Sequence, residues 1–165
     1  MTLLDRHIWR SSISTDTKIR LYRVYILPIL LYGSETWTTT KELCRRIDSF
    51  DCWCIRKILR ISYTKHVTNA EIRQVTQCLP VSDTVRASRL RFFGHIARAQ
   101  STENHRRAVW AAMQKPPPGR PSLTWLRVIA DDVKPTNFGV HTAWRTANDR
   151  KEWRRVVGTA TLQSE

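Results

Sequence analysis

The stretch that most limits the architecture is "TTTKELCRRIDSFDCWCIRKILRI", from Thr38 to Ile61. Leu43, Ile47, Phe50, Cys54 and Ile58 recur at intervals of three and four, the period of an α-helix. Arg45, Arg46, Arg56, Lys57 and Arg60 lie mostly off that stripe. The spacing predicts a long helix with one face for packing and a positive face opposite. Thr39 and Glu42 have the spacing of a capping box ahead of it.

Helical period governs the other segments too. "STDTKIRLYRVYILPILLYG", Ser14 to Gly33, opens on capping residues and closes on glycine, with Ile19, Tyr22, Ile26, Ile29 and Leu30 in register. Pro28 lacks a backbone donor, so a buried helix with a bend in its second half is expected. Thr68 and Glu71 form a second capping box, with Val67 placed to staple onto Ile72. After "CLPV", Ser82 or Asp83 can cap a helix through "TVRASRLRFFGHIARAQ", with Val85, Phe93 and Ile96 on one side and Arg91, His95 and Arg98 on the other. Arg89 projects near the middle of the apolar arc, which calls for an aliphatic escape to solvent or a carboxylate or phosphate partner.

A further helix is expected over Thr102 to Gln114, followed by "KPPPGRP", a stiff segment no helix can cross. Ser122 can cap "LTWLRVIADDV". In "HTAWRTANDRKEWRRVVG", Trp144 and Trp153 do not share a helical face, so the helix breaks near Asn148 and Asp149 or is buried on more than one side. No internal repeat and no strand-like alternation of any length is found. The chain therefore reads as all-α: a helical bundle over 1–114, a proline-rich linker over 115–121 and a small helical C-terminal lobe over 122–165.

Lys and Arg total 28 against 14 acids, a formal charge of +14 and a pI near 10.5. Such an excess repels itself unless an acidic partner offsets it, which favours nucleic acid first and an anionic membrane second. With 41% hydrophobic residues and seven Trp there is material for a core. The longest apolar run, "VYILPILLY", is too short to span a bilayer and "MTLLDRHIWR" is not a secretory signal, so an intracellular protein, nuclear or cytoplasmic, without a membrane partner is expected.

"VIADDV", Val128 to Val133, resembles the paired carboxylates of a polymerase in letters alone. Such a pair sits on a β-hairpin with a third acid from another strand. Here Trp125, Val128, Ile129 and Asp132 keep helical spacing, and Asp131 and Asp132 read as a solvated helix end, with Lys134 offsetting acids at the wrong pole of the helix dipole. Cys52, Cys54, Cys78 and His66 fit none of the common zinc spacings. Cys44 and the other three should be reduced thiols. The glycines, five in all, are scattered singly and cradle no phosphate. No catalytic residue, metal or cofactor is expected on the chain itself.

Five ordered blocks, "KIRLYRVYILPILLYGSETWTTTKELCRRIDSFDCWCIRKILRI", "HVTNAEIRQ", "RLRFFGHIAR", "GRPSLTW" and "DRKEWRRVV", resemble the C-terminal part of LINE-type, non-LTR retrotransposon reverse transcriptases that also carry an endonuclease. The resemblance runs over nearly the whole chain. It implies a helical thumb that grips the template–primer, followed by a tail. It also implies catalytic aspartates upstream, in a palm that Met1 follows, so Asp131 and Asp132 do not match the catalytic pair. The implied partners are RNA–DNA hybrid or duplex and the missing palm and fingers.

A thumb holds a duplex of any sequence, which calls for phosphate-directed cations on rigid helices. The candidates are Arg45, Arg46, Arg56, Lys57, Arg60, Arg86, Arg89, Arg91 and Arg98, with Arg120 in the Gly-Arg-Pro turn, where a minor-groove hook competes with a plain linker. Trp37, Trp53, Trp110, Trp125, Trp144 and Trp153 can stack on bases or fill the core. Two other functions fit the pattern. One is a helix-turn-helix regulator aiming Arg86, Ser88 and Arg89 at bases; the other is a remnant of a mobile element without a partner.

Overall fold

Ser14 accepts the Thr17 amide and starts a helix, α1 (Thr15–Leu21), whose ladder changes before the proline. In the computed structural model, which describes residues 4–62, 64–114 and 123–162, α1 runs into a π-helical segment, Tyr22–Ile26, and on into α2 (Leu27–Leu30). Pro28 cannot donate to the carbonyl four residues back, and the Leu27 amide bonds to the Tyr22 carbonyl instead. The expected bend thus takes the form of a widened turn. Ile19 and Tyr22 are buried, but Ile29 is 76% exposed, and Val24, Tyr25, Leu30 and Tyr32 are exposed with it. The second half of this element is therefore not buried as its apolar pattern suggested.

Thr40, not Thr39, caps α3 (Lys41–Leu59) by accepting the Leu43 amide. The helix buries Asp51, Cys52, Cys54, Ile55 and Ile58, while Leu43 and Phe50 at the front of the predicted stripe stay exposed. Arg60 ends α3 in the left-handed region at φ 54°, and the Ile61 amide closes back on the Arg56 carbonyl. The capping box at Thr68 and Glu71 forms as expected and opens α4 (Asn69–Thr76). Trp9, Ile19, Tyr22, Cys54, Ile55, Ile58, Ile72 and Cys78 share one core, with Val67 packed on it. Within it the Tyr22 hydroxyl donates to Asp51 Oδ1 at 2.7 Å. Burial pushes the phenol far up and raises the Asp51 carboxyl too, against the pull of Tyr22 and Arg73.

These elements make one unit, taking in the residues up to Tyr32 and Thr40–Ser82. The other takes in Gly33–Thr39 and the residues from Asp83 onward. The second unit holds most of α5 (Val81–Arg98), then α6 (Asn104–Gln114), α7 (Trp125–Val133), α8 (Val140–Thr146) and α9 (Arg150–Leu162). Helix α5 starts at Val81, so neither Ser82 nor Asp83 caps it; the Ser82 amide and hydroxyl both donate to Asp48. Thr124 caps α7, Ser122 lying outside the described residues, and the last segment does break, α8 ending at Thr146 and α9 starting at Arg150.

The core of the second unit is aromatic. The Phe93 ring lies 5.5 Å from Trp144, 5.8 Å from Trp153 and 6.2 Å from Trp125, among Leu90, Ile129, Val133 and Val157. Leu90 and Phe93 thus share a core with residues past 122, and a division at the proline-rich stretch does not match the packing. Residues 115–121, the expected linker, lie outside the described residues. Every regular element among the described residues is helical, as the period predicted, and none of these helices is long and apolar enough to cross a membrane.

Candidate nucleic-acid interface

The end of α3 brings three of the expected cations together. Arg56, Lys57 and Arg60 line a groove of about 700 Å³ with Arg10, Trp53, Ile61 and Ser62, over a floor that includes buried Trp9. Among the described residues no acid lines it. Arg60, in the left-handed turn that ends α3, is exposed. Arg56 is locked in place: Nη1 donates to Asn69 Oδ1 at 2.7 Å and Nη2 to the Val67 carbonyl at 2.9 Å. Both acceptors are neutral, so the guanidinium keeps its charge. Lys57 Nζ stands 6.0 Å above the Trp53 ring, which is 47% exposed and stacks on Phe50 at 5.9 Å. An exposed ring flanked by cations can take a base on its face and the adjoining phosphates at its edge.

The remaining candidates separate. Arg45 and Arg46 are exposed on the first half of α3, both 3.8 Å from Glu42. Arg91 is exposed and Arg98 half-buried on α5, in the second unit, with Arg98 Nη1 donating to the Ala147 carbonyl. Arg120 lies outside the described residues.

Arg89 is spent internally. It is 3% exposed and grips Asp132 through two bonds, Nε to Oδ2 at 2.7 Å and Nη2 to Oδ1 at 3.1 Å. Its Nη1 donates to the Trp37 carbonyl and to Thr39 Oγ1. Arg86 Nε approaches the same carboxylate at 3.4 Å, and its Nη1 bonds to the Ala160 carbonyl. The odd position of Arg89 in the apolar arc thus has its carboxylate partner, inside the protein, and the side chain is closed to phosphates. Asp132 is correspondingly not a solvated helix end. It is buried, and burial raises its carboxyl while Arg89 and Arg86 draw it down. Asp131 alone is exposed, paired with Lys134 as expected. A helix that read bases through Arg86 and Arg89 has no counterpart here.

Of the tryptophans, Trp144 and Trp153 are core, Trp125 is half-buried with its indole bonded to the Glu35 carbonyl, and Trp53 and Trp110 are exposed. Cys52 and Cys54 are buried thiols, the latter pushed up to about 11 by burial, and among the described residues no group of three or more His, Cys, Asp or Glu is placed to hold a metal. Arg150, Arg154, Arg106 and Arg107 line grooves and were not picked out from the sequence. Arg150 and Arg154 sit one turn apart, a spacing readable once the helix start at Arg150 is known.

The chain is similar to a Caenorhabditis elegans protein described as uncharacterized and transposon-derived, 30% identical over 167 aligned positions. That alignment takes in 91% of this chain but only 58% of that protein, so the chain spans little more than half of its relative. No known protein family and no solved structure matches the chain.

Proposed function

We propose that the chain is a nucleic-acid-holding element of mobile-element origin, corresponding to the thumb and tail of a LINE-type reverse transcriptase. It grips RNA–DNA hybrid or duplex by the phosphates, and the polymerase chemistry belongs to palm and fingers domains of the parent protein. The observation that carries this reading is the groove at the end of α3, where Arg56, Lys57 and Arg60 converge beside exposed Trp53 with no acid among the described lining residues. A net charge of +14 and the likeness to a transposon-derived protein support it. The exposed strip of Val24, Tyr25, Ile29 and Tyr32 is the apolar surface we assign to the palm and fingers.

The test is binding of the purified chain to labelled hybrid, duplex and single strands of several sequences across a salt series. Affinity should be indifferent to sequence and fall steeply with salt. Lys57→Gln with Arg60→Asn, the asparagine suiting the left-handed turn, should make the log–log salt slope shallower by roughly 2. Affinity that stays flat as salt rises, or primer extension by the chain alone with magnesium, would refute the reading. A remnant with no partner would bind none of the strands.

A further inference from the structure

A second set of cations converges within the other unit, where α5 meets α9. The contact depends on Gly94: a Cβ there would stand 2.3 Å from Trp153 Nε1 and 2.4 Å from its Cδ1. Without one, the indole sits against α5 and donates to the Leu90 carbonyl at 2.9 Å. Beside this seam runs a groove of about 530 Å³ lined by Arg91, His95 and Arg98 from α5 and by Arg150 and Arg154 from α9, with Trp153 among its walls.

Among the described residues no carboxylate lines this groove. The acids near the start of α9 are engaged elsewhere: Asp149 accepts the Lys151 and Glu152 amides, and Glu152 lies 3.3 Å from Arg155. Arg98 is anchored on the neutral Ala147 carbonyl, and burial, together with the charge of Arg150, weakens its hold on its proton. Like charges are therefore crowded here with no internal relief, a cost that an anionic ligand would remove.

The side chains form two helical rows, Arg91, His95 and Arg98 on one side and Arg150 and Arg154 on the other. At 1.5 Å per residue the first row extends about 10 Å along α5. That matches the axial rise of about three nucleotides of one strand.

We propose that this groove is a second phosphate-backbone site, which takes two or three consecutive phosphates of a nucleic-acid strand independently of the groove at the end of α3. Its ligand class rests on the reading under Proposed function. The chain then holds a polynucleotide at two places, one in each unit, and does so without reading bases.

The test compares two full-length variants of equal charge for binding to a labelled RNA–DNA hybrid across a salt series. One carries Arg91→Gln, Arg150→Gln and Arg154→Gln, all at exposed positions; the other carries Arg20→Gln, Arg127→Gln and Arg145→Gln, exposed cations outside both grooves. The groove variant should bind at least about tenfold more weakly near physiological salt, with a slope shallower by roughly 2 to 3, and the control should stay within about twofold of the wild type. The variant Arg91→Lys, Arg150→Lys, Arg154→Lys should retain most of the wild-type slope, which a misfolded protein could not do. If the groove variant matches the control while the wild type binds, the second site is refuted and the first stands. If the wild type itself shows no salt-sensitive binding, the nucleic-acid reading falls and takes this site with it.

Discussion

Replacing Asp132 by asparagine should unfold the second unit far more easily than any loss of a surface charge could. The substitution keeps the shape and removes the negative charge that Arg89 Nε meets at 2.7 Å and Arg86 Nε at 3.4 Å, leaving Arg86 its contact with buried Asp83 at 3.5 Å but Arg89 without a carboxylate. Arg89 is 3% exposed and Asp132 7%, so water cannot take over the role of the carboxylate. Breaking a pair buried to this degree costs about 3 to 5 kcal/mol, because the surviving charge stays desolvated. For a chain of this size that corresponds to a fall in Tm of roughly 6 to 20 °C. Hydrogen exchange of the α5 and α7 amides should rise accordingly, with α3 in the first unit as internal reference. Asp131→Asn is the control: its exposed contact with Lys134 should be worth less than about 1 kcal/mol. The joint variant Arg89→Met, Asp132→Leu should recover most of the loss, since apolar replacements carry no orphaned charge. An Asp132→Asn protein within about 1 kcal/mol of the wild type would show that the pair does not hold this unit together.

Gly94→Ala should destabilise the second unit by about 1 to 3 kcal/mol in denaturant titrations, because the Trp153 ring must move and its bond to Leu90 is lost. Tyr22→Phe strips the buried Asp51 carboxyl of its donor and should cost about 1 to 3 kcal/mol in thermal unfolding; in the wild type the Tyr22 phenol should ionise, by ultraviolet titration, only where the protein unfolds. Thr68→Ala removes the cap of α4 and should cost about 1 kcal/mol, read as faster exchange of the first-turn amides of α4. The bonds from Thr68 hold the Glu71 carboxyl below its ordinary value, and cap bonds do the same for Asp149. A depressed carboxyl stabilises the fold above its unfolded pKa and stops doing so as pH falls through its folded one. On acidification below the ordinary carboxylate range the contributions of Glu71 and Asp149 should be lost, while the raised carboxyls of Asp51 and Asp132 act in the opposite sense. In a carboxyl NMR titration, Thr68→Ala, which removes the hydroxyl but keeps the backbone amide, should bring Glu71 only part of the way back to its ordinary value.

Local rules in the sequence were legible where the physics is local. The Thr68–Glu71 box needs only four neighbouring residues, and it forms. Two tryptophans off a common face left either a break near Asn148 and Asp149 or burial on more than one side; the helix divides there, and both tryptophans are buried. What periodicity could not supply is the identity of the surface that covers an apolar stripe. Ile19 and Tyr22 found cover and Ile29 did not, although all lie on one stripe. The same limit applies to Asp132. Its neighbours made it look like a helix end, and only the fold brings it to Arg89, 43 positions away in sequence. The spacing of Thr39 and Glu42 pointed to Thr39 as the cap. Thr40 takes that role, while Thr39 accepts from Arg89 and helps tie the stretch after Gly33 into the second unit.

That contrast also corrects how a surplus of arginine should be counted. An arginine bonded to a carboxylate, as Arg89 is, contributes structure and little field, because its charge is cancelled at contact distance. An arginine bonded to neutral carbonyls, as Arg56 and Arg98 are, has its guanidinium fixed in direction and its full charge still available. Each groove holds such an anchored arginine, flanked by exposed cations, Lys57 and Arg60 in one and Arg91, Arg150 and Arg154 in the other. Prior fixation reduces the ordering entropy lost when a phosphate arrives, and the exposed neighbours add charge to the grip. The useful measure of a basic chain is therefore the number of cations with unspent charge that the fold brings together, as it does in these two grooves.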